Sequence, residues 1–134
     1  MTPDGRLLAH GDEQGVVYQI DYDNGRLIKA FALGDPTVHD DFEGIAVAGG
    51  DVYLVTSHGK IYRAKEGADG ERVAYETFDT QLWNQCEIEG LALAAGGRDL
   101  LLACKAARND ALVGRVMIFR WSIQDRRVSA SQST

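Results

Sequence analysis

The sequence predicts an all-β chain forming a partial β-propeller, and three observations carry that prediction. Units recur: Glu43 and Glu89 stand 46 positions apart in "DDFEGIAVAGGDVYLV" and "CEIEGLALAAGGRDLLL", as do Leu8 and Leu54. Each unit divides into four short β-type runs separated by Gly- and Asp-rich turns. No segment keeps a helical period over a useful length. A repeat of about 46 residues with four antiparallel strands is the pattern of a propeller blade. A single sandwich or barrel is the competing all-β reading, and the regular return of the same turn glycine weighs against it.

The middle unit gives strands at residues 43–48, 52–56, 60–64 and 72–78, joined by "GGD", "SHG" and "KEGADGE". The last gives 89–94, 99–104, 115–121 and a weak fourth strand at 127–130. The first unit fits the same template without its inner strand: "TPDG" is a turn, followed by strands at 6–9, 16–21 and 27–32. Third strands align as "GVVYQI", "GKIYRA" and "GRVMIF", each opened by glycine. Both prolines, Pro3 and Pro36, fall in connections, as an unbroken ladder requires. The blades are expected at about residues 1–34, 35–80 and 81–134 of one partial propeller.

Propellers close with about 4–8 blades. Three four-stranded blades, the first lacking its inner strand, therefore predict a fragment of a six-bladed ring or a chain that associates with copies of itself. Left alone, the end blades would expose strand edges and apolar faces.

Composition narrows the function. Of the 134 residues, 45% are apolar and 25% charged, ordinary for a globular chain. A formal net charge of −6 with no basic stripe disfavours a nucleic-acid partner. Apolar runs last only a few residues, so no membrane span is expected. The opening "MTPDGRLLAHGD" lacks the pattern of a secretory leader.

Alternating strand directions send the entry to each first strand and the turn between strands two and three to one face. That face receives "HDD" with Glu43, "WNQCE" with Glu89, "HGDEQ", "SHG" and "KAARNDALVG", and chemistry is expected there. Strand period two puts Asp41, Glu43, Ile45 and Val47 on one side, with Phe42, Gly44, Ala46 and Ala48 on the other. Glu87 and Glu89 repeat the pattern. Two acidic pairs near a shared axis repel one another unless offset. A hard cation such as Ca²⁺ would offset them, with Glu43 and Glu89 as its main ligands and Asp41 and Glu87 nearer water. The alternative is a latch in which each Glu accepts backbone N–H bonds from the adjacent blade.

"DFEGIAVAGGDVYLVTSHGKIYR" and "CEIEGLALAAGGRDLLLACK" resemble the blades of the SdiA-regulated, esterase-like-phytase group of bacterial β-propellers. More remotely they resemble calcium-dependent propeller phytases and lactonase-type propellers. The resemblance implies a calcium role for Glu43 and Glu89, a phytase- or esterase-like activity, and a periplasmic or extracellular setting. The basic cluster that phytate binding needs is not evident.

His10 and His58 read as equivalent positions on the loop face, as general bases or as solvated turn residues. Trp83 and Asn84, with Lys105 and Arg108 in the longer loop, are candidate ligand contacts, Trp83 being either a lid or an apolar plug. Trp121, Tyr18 and Tyr62 read as blade-to-blade core. Cys86 and Cys104 fall within a few residues of a cross-strand pair, and a disulfide between them stays open. No nucleophile elbow or phosphate-cradling glycine loop is present. Two functions follow: a propeller scaffold that binds a small molecule or a protein on its loop face, or a metal-assisted hydrolase of esters or phosphoesters.

Overall fold

The computed structural model describes residues 1–107 and 117–133. It is all-β, with three four-stranded sheets in sequence order. The first holds β1 (Leu7–His10), β2 (Val16–Ile20), β3 (Leu27–Leu33) and β7 (Arg72–Val73). The second holds β4 (Phe42–Ala48), β5 (Asp51–Thr56), β6 (Lys60–Lys65) and β8 (Tyr75–Asp79). The third runs β9 (Cys86–Leu93), β10 (Asp99–Ala107), β11 (Met117–Ser122) and β12 (Arg127–Ser133). Every neighbouring pair is antiparallel except β3 with β7. β4 and β9 lie side by side as inner strands, and β1 meets β4 where the first unit lacks its own.

The strand expected at 72–78 is in fact two. Arg72 and Val73 pair in parallel with Ala32 and Leu33 of the first sheet. Only after Ala74 does the chain join β6, with Tyr75 opposite Ala64. The second unit therefore returns two residues to the blade before it.

Two apolar layers hold the blades together. Between the first and second sheets lie Leu8, Val17, Phe31, Leu33, Phe42, Val52, Leu54 and Tyr62. Between the second and third lie Tyr53, Val55, Ile61, Ile88, Leu100, Leu102, Phe119 and Trp121. β5 feeds both layers in turn: Val52 and Leu54 point one way, Tyr53 and Val55 the other. A strand covered on both faces can be apolar at every position, which is why "VYLV" shows no polar alternation. Each such side chain contributes roughly 1.5–3 kcal/mol on burial. The outer sheets are covered on one face only. Leu101, Ala103 and Ile118 of the third sheet and Tyr18 of the first are half-buried. Tyr62 and Trp121 are core residues as expected, whereas Tyr18 has no blade beside it.

An ion cluster ties the first two units on the face opposite the turns that follow β1 and β5. Arg6 grips both carboxylate oxygens of Glu66, with Nη2 at 2.8 Å from Oε1, and Lys29 Nζ reaches the same carboxylate at 2.6 Å. These cations hold the Glu66 carboxyl down to about 2. A depressed carboxylate contributes fully above its ordinary range near 4.5 and loses that contribution as the pH falls toward 2.

Candidate functional site on the loop face

Both Glu-Gly steps sit on β-bulges. In the β4–β5 ladder Phe42 pairs with Thr56 and Gly44 with Val55, leaving Glu43 as the extra residue. In the β9–β10 ladder Ile88 pairs with Cys104 and Gly90 with Ala103, leaving Glu89. A bulge breaks the period-two rule. Phe42 consequently packs with Ile45 and Val47 against the preceding blade, not with Gly44 and Ala46 as strict alternation predicts. Ile88 does the same one unit later, with Leu91 and Leu93 against its cluster.

The bulges also free a backbone donor. Phe42 N–H bonds Asp12 O at 2.9 Å, and Ile88 N–H bonds Ser57 O at 2.9 Å. These equivalent contacts join each inner strand to the turn of the blade before it. A main-chain latch between blades is thus made by the residue preceding each Glu. Where β4 meets β9 the fit is close: a Cβ on Gly44 would lie 2.7 Å from Leu91 N.

Glu43 is partly buried, and Glu87 and Glu89 are exposed. Burial, followed by Asp41, Glu89 and Glu87, raises the Glu43 carboxyl above its ordinary range. The carboxylates thus come within electrostatic reach across two blades. Among the described residues, however, no group of three or more His, Cys, Asp or Glu side chains is placed to hold a metal ion. A carboxyl whose folded pKa is raised costs stability when ionised, so Glu43→Gln should melt higher than wild type at about pH 7. The gap should close toward about pH 4, as Glu43 takes up its proton. Thermal melts across that range decide it. A wild type more stable than Glu43→Gln at about pH 7 would mean that this carboxylate is held by a stabilising partner such as a bound cation.

A concavity on the loop face lies toward the outer strands of the second blade, away from these acids. A cavity of about 370 Å³ is lined by His58, Lys60, Thr77, Asp79 and Trp83. His58 comes from the β5–β6 turn, Lys60 opens β6, Thr77 and Asp79 lie in β8, and Trp83 belongs to the connection into the third blade. Gly59 and Thr80 set the two loops against each other. Gly59 has φ +84°, and its carbonyl accepts bonds from Thr80 N at 3.0 Å and Thr80 Oγ1 at 2.6 Å. An added Cβ would lie 2.5 Å from that hydroxyl, so glycine is required there on both counts. Leu82 is buried in the core, and its carbonyl accepts from Gln85 and Cys86. This turn leaves Trp83 57% exposed. The apolar plug is Leu82, and Trp83 is a wall of the cavity.

Around His58 a short polar chain forms. Ser57 Oγ donates to Asp41 Oδ2 at 2.6 Å and lies 3.1 Å from His58 Nδ1. Ser57 is itself buried. Lys60 Nζ sits 5.1 Å from the ring centre of Tyr62, whose hydroxyl donates to Asp40 at 2.6 Å.

The other candidates do not gather here. His10 is the last residue of β1, opposite Val17, and its Nδ1 lies 2.8 Å from Gly11 O. The partner of Ile61, which follows the turn as Val17 does, is Val55. His10 thus corresponds to Val55, three residues before His58. Asn84 is exposed but does not line the cavity. Lys105 is the skipped residue of a second register shift in β10; its side chain and Arg108 lie outside the described residues. Lys60, Thr77, Asp79 and Ser57 were not foreseen. Only the alignment of "GKIYRA" with the other third strands hinted that Lys60 borders the loop face.

Cys86 and Cys104 form a disulfide, with Cα atoms 5.5 Å apart and both residues buried. A larger concavity of about 630 Å³ occupies the opposite face, among Asp51, Arg63 and residues 71–76. Its Arg63 is engaged by Glu76 and Asp51, and its Arg72 by Asp35 and Thr37. Tyr75 supplies an exposed ring there too, so what separates the two is that both arginines of the larger concavity are already engaged by acids, which leaves the loop-face cavity as the stronger candidate.

No protein-family model matches the sequence, and no curated protein matches it as a relative. Solved structures do match by shape. Hydrazine synthase from Kuenenia stuttgartiensis superposes with a TM-score of 0.63 at 19% identity, over 100% of this chain and 36% of its own. Kluyvelomyces marxianus Hsv2 gives 0.56 at 9% identity, over 95% of this chain and 42% of its own. KlHsv2 with loop 6CD replaced by a Gly-Ser linker gives 0.51 at 10%, over 100% and 43%. The chain thus spans well under half the length of the structures it matches. At such identities the likeness concerns the fold alone. Together with the three four-stranded sheets, it makes the chain a partial β-propeller.

Proposed function

We propose that the chain is the ligand-binding part of a β-propeller scaffold, with a small-molecule site in the loop-face cavity between His58 and Trp83. One observation carries the reading. Loops from two successive blades, fixed by the Gly59–Thr80 contacts, place an exposed indole and four polar side chains around one concavity. In this reading the half-buried faces of the first and third sheets receive further blades, as in the SdiA-regulated, esterase-like-phytase propellers that the blades resemble. The Cys86–Cys104 disulfide fits an oxidising compartment. A hydrolytic role needs an accessible nucleophile or a metal. Ser57 is buried and already donates to Asp41, so it is not placed as a nucleophile.

The protein carries two tryptophans, and Trp121 is only 1% exposed. Ligand-dependent changes in emission therefore report chiefly on Trp83. A screen of a few hundred neutral, anionic and cationic small molecules should yield compounds that shift this emission, and Trp83→Ala should abolish their binding by calorimetry. Compounds that bind with equal affinity after Trp83→Ala, or a screen without any hit, would sink the proposal.

A further inference from the structure

The donor count around Ser57 fixes which nitrogen of His58 carries a proton in the neutral ring. A serine hydroxyl has one hydrogen, and Ser57 gives it to Asp41 Oδ2 at 2.6 Å, an acceptor-only carboxylate. Toward His58 Nδ1, 3.1 Å away, the same oxygen can then only accept. Nδ1 must therefore be the N–H, which leaves Nε2 as a bare acceptor on a ring that lines the cavity. The remaining lining groups are one ammonium, one carboxylate, one hydroxyl and an indole face.

That set discriminates among ligands. An anion would meet Lys60 but also Asp79, so formal charge gives it no net attraction. An apolar ligand would cover His58 Nε2, the Thr77 hydroxyl and the Asp79 carboxylate, whose Oδ1 accepts from Gln81 N–H at 2.8 Å, without replacing the water they bind, a desolvation cost for each. A neutral ring bearing several hydroxyls suits the set: its O–H groups donate to Nε2 and to Asp79, its oxygens accept from Lys60, and its C–H face lies on Trp83. We propose that the Asp41–Ser57–His58 chain sets His58 as a hydrogen-bond acceptor and that the cavity thereby recognises a polyhydroxylated ring, a sugar. The proposal rests on the binding reading above and names its ligand class.

Two measurements test it separately. Long-range proton–nitrogen NMR on the ligand-free protein, above the imidazole titration, should show His58 with its proton on Nδ1. Asp41→Ala, a change at an exposed side chain, frees the Ser57 hydrogen for Nδ1 and should move the His58 proton to Nε2. Ser57→Ala should do the same if it folds. A wild-type ring already protonated on Nε2 would overturn the relay. D-glucose, D-galactose and N-acetyl-D-glucosamine are then titrated against Trp83 emission, with inorganic phosphate and acetate alongside. At least one sugar should bind in the millimolar range, with affinity lowered about tenfold or more by His58→Phe. Response to phosphate or acetate alone would overturn the sugar assignment while keeping a binding cavity. Silence from every probe here and in the wider screen would end both readings.

Discussion

Replacing Cys86 and Cys104 together by alanine should cost the fold about 3 kcal/mol, lowering its melting temperature by roughly 10 °C. The bond joins residues 18 positions apart, enclosing β9, the turn and the first two-thirds of β10. In the unfolded chain it removes loop-closure entropy of that order. In the folded chain both residues are buried in the layer between the second and third sheets, so alanine also loses packing there. Chemical reduction of wild type isolates the first contribution from the second. Thiol titration of the denatured, unreduced protein should find no free sulfhydryl. Two free thiols, or a reduced protein that melts within about 2 °C of the oxidised one, would contradict the expectation.

Gly44→Ala should destabilise the fold by about 3 kcal/mol. The new Cβ would lie 2.7 Å from Leu91 N, 2.8 Å from Leu91 Cβ and 3.1 Å from Gly90 C. Two of these atoms are backbone, so no side-chain rotation relieves them. β4 and β9 must instead move apart, disturbing the neighbouring Ile88 N–H bond to Ser57 O. Gly90→Ala is the control. The equivalent Cβ there meets only Ala103 Cβ, at 3.8 Å, so it should cost far less. Denaturant melts of the two variants compare them directly. Equal stabilities would show that the inner strands are not packed as described.

The contrast between Gly44 and Gly90 illustrates what the sequence could and could not convey. Both read as small residues where blades approach, and the strand order followed from glycine turns and a period of 46. Bulges left no such trace. An extra residue in a ladder changes neither composition nor length, so Phe42 and Ile88 were placed on the wrong side. The split of residues 72–78 was equally hidden, since Ala74 carries no break signal. His10 and His58 read as equivalents because each stands near the end of a second strand, but strand register, which equates His10 with Val55, is not legible in the sequence. The cavity joins His58 to Trp83 across 25 positions, and the Asp41–Ser57 bond spans 16. Such meetings depend on how two loops lie after the sheets have packed. Trp83 and His58 were nonetheless legible as candidates, because residues of their type on the loop face stand out singly.

The two residues of β7 give the chain a mechanical character that its repeat conceals. Arg72 and Val73 belong by sequence to one module and by hydrogen bonding to the module before it. A cut at the apparent seam would therefore leave Leu33 without its ladder partner and the excised piece with a dangling segment. The first two modules overlap like roof tiles, so tension that draws them apart must shear β7 from β3 before either comes free.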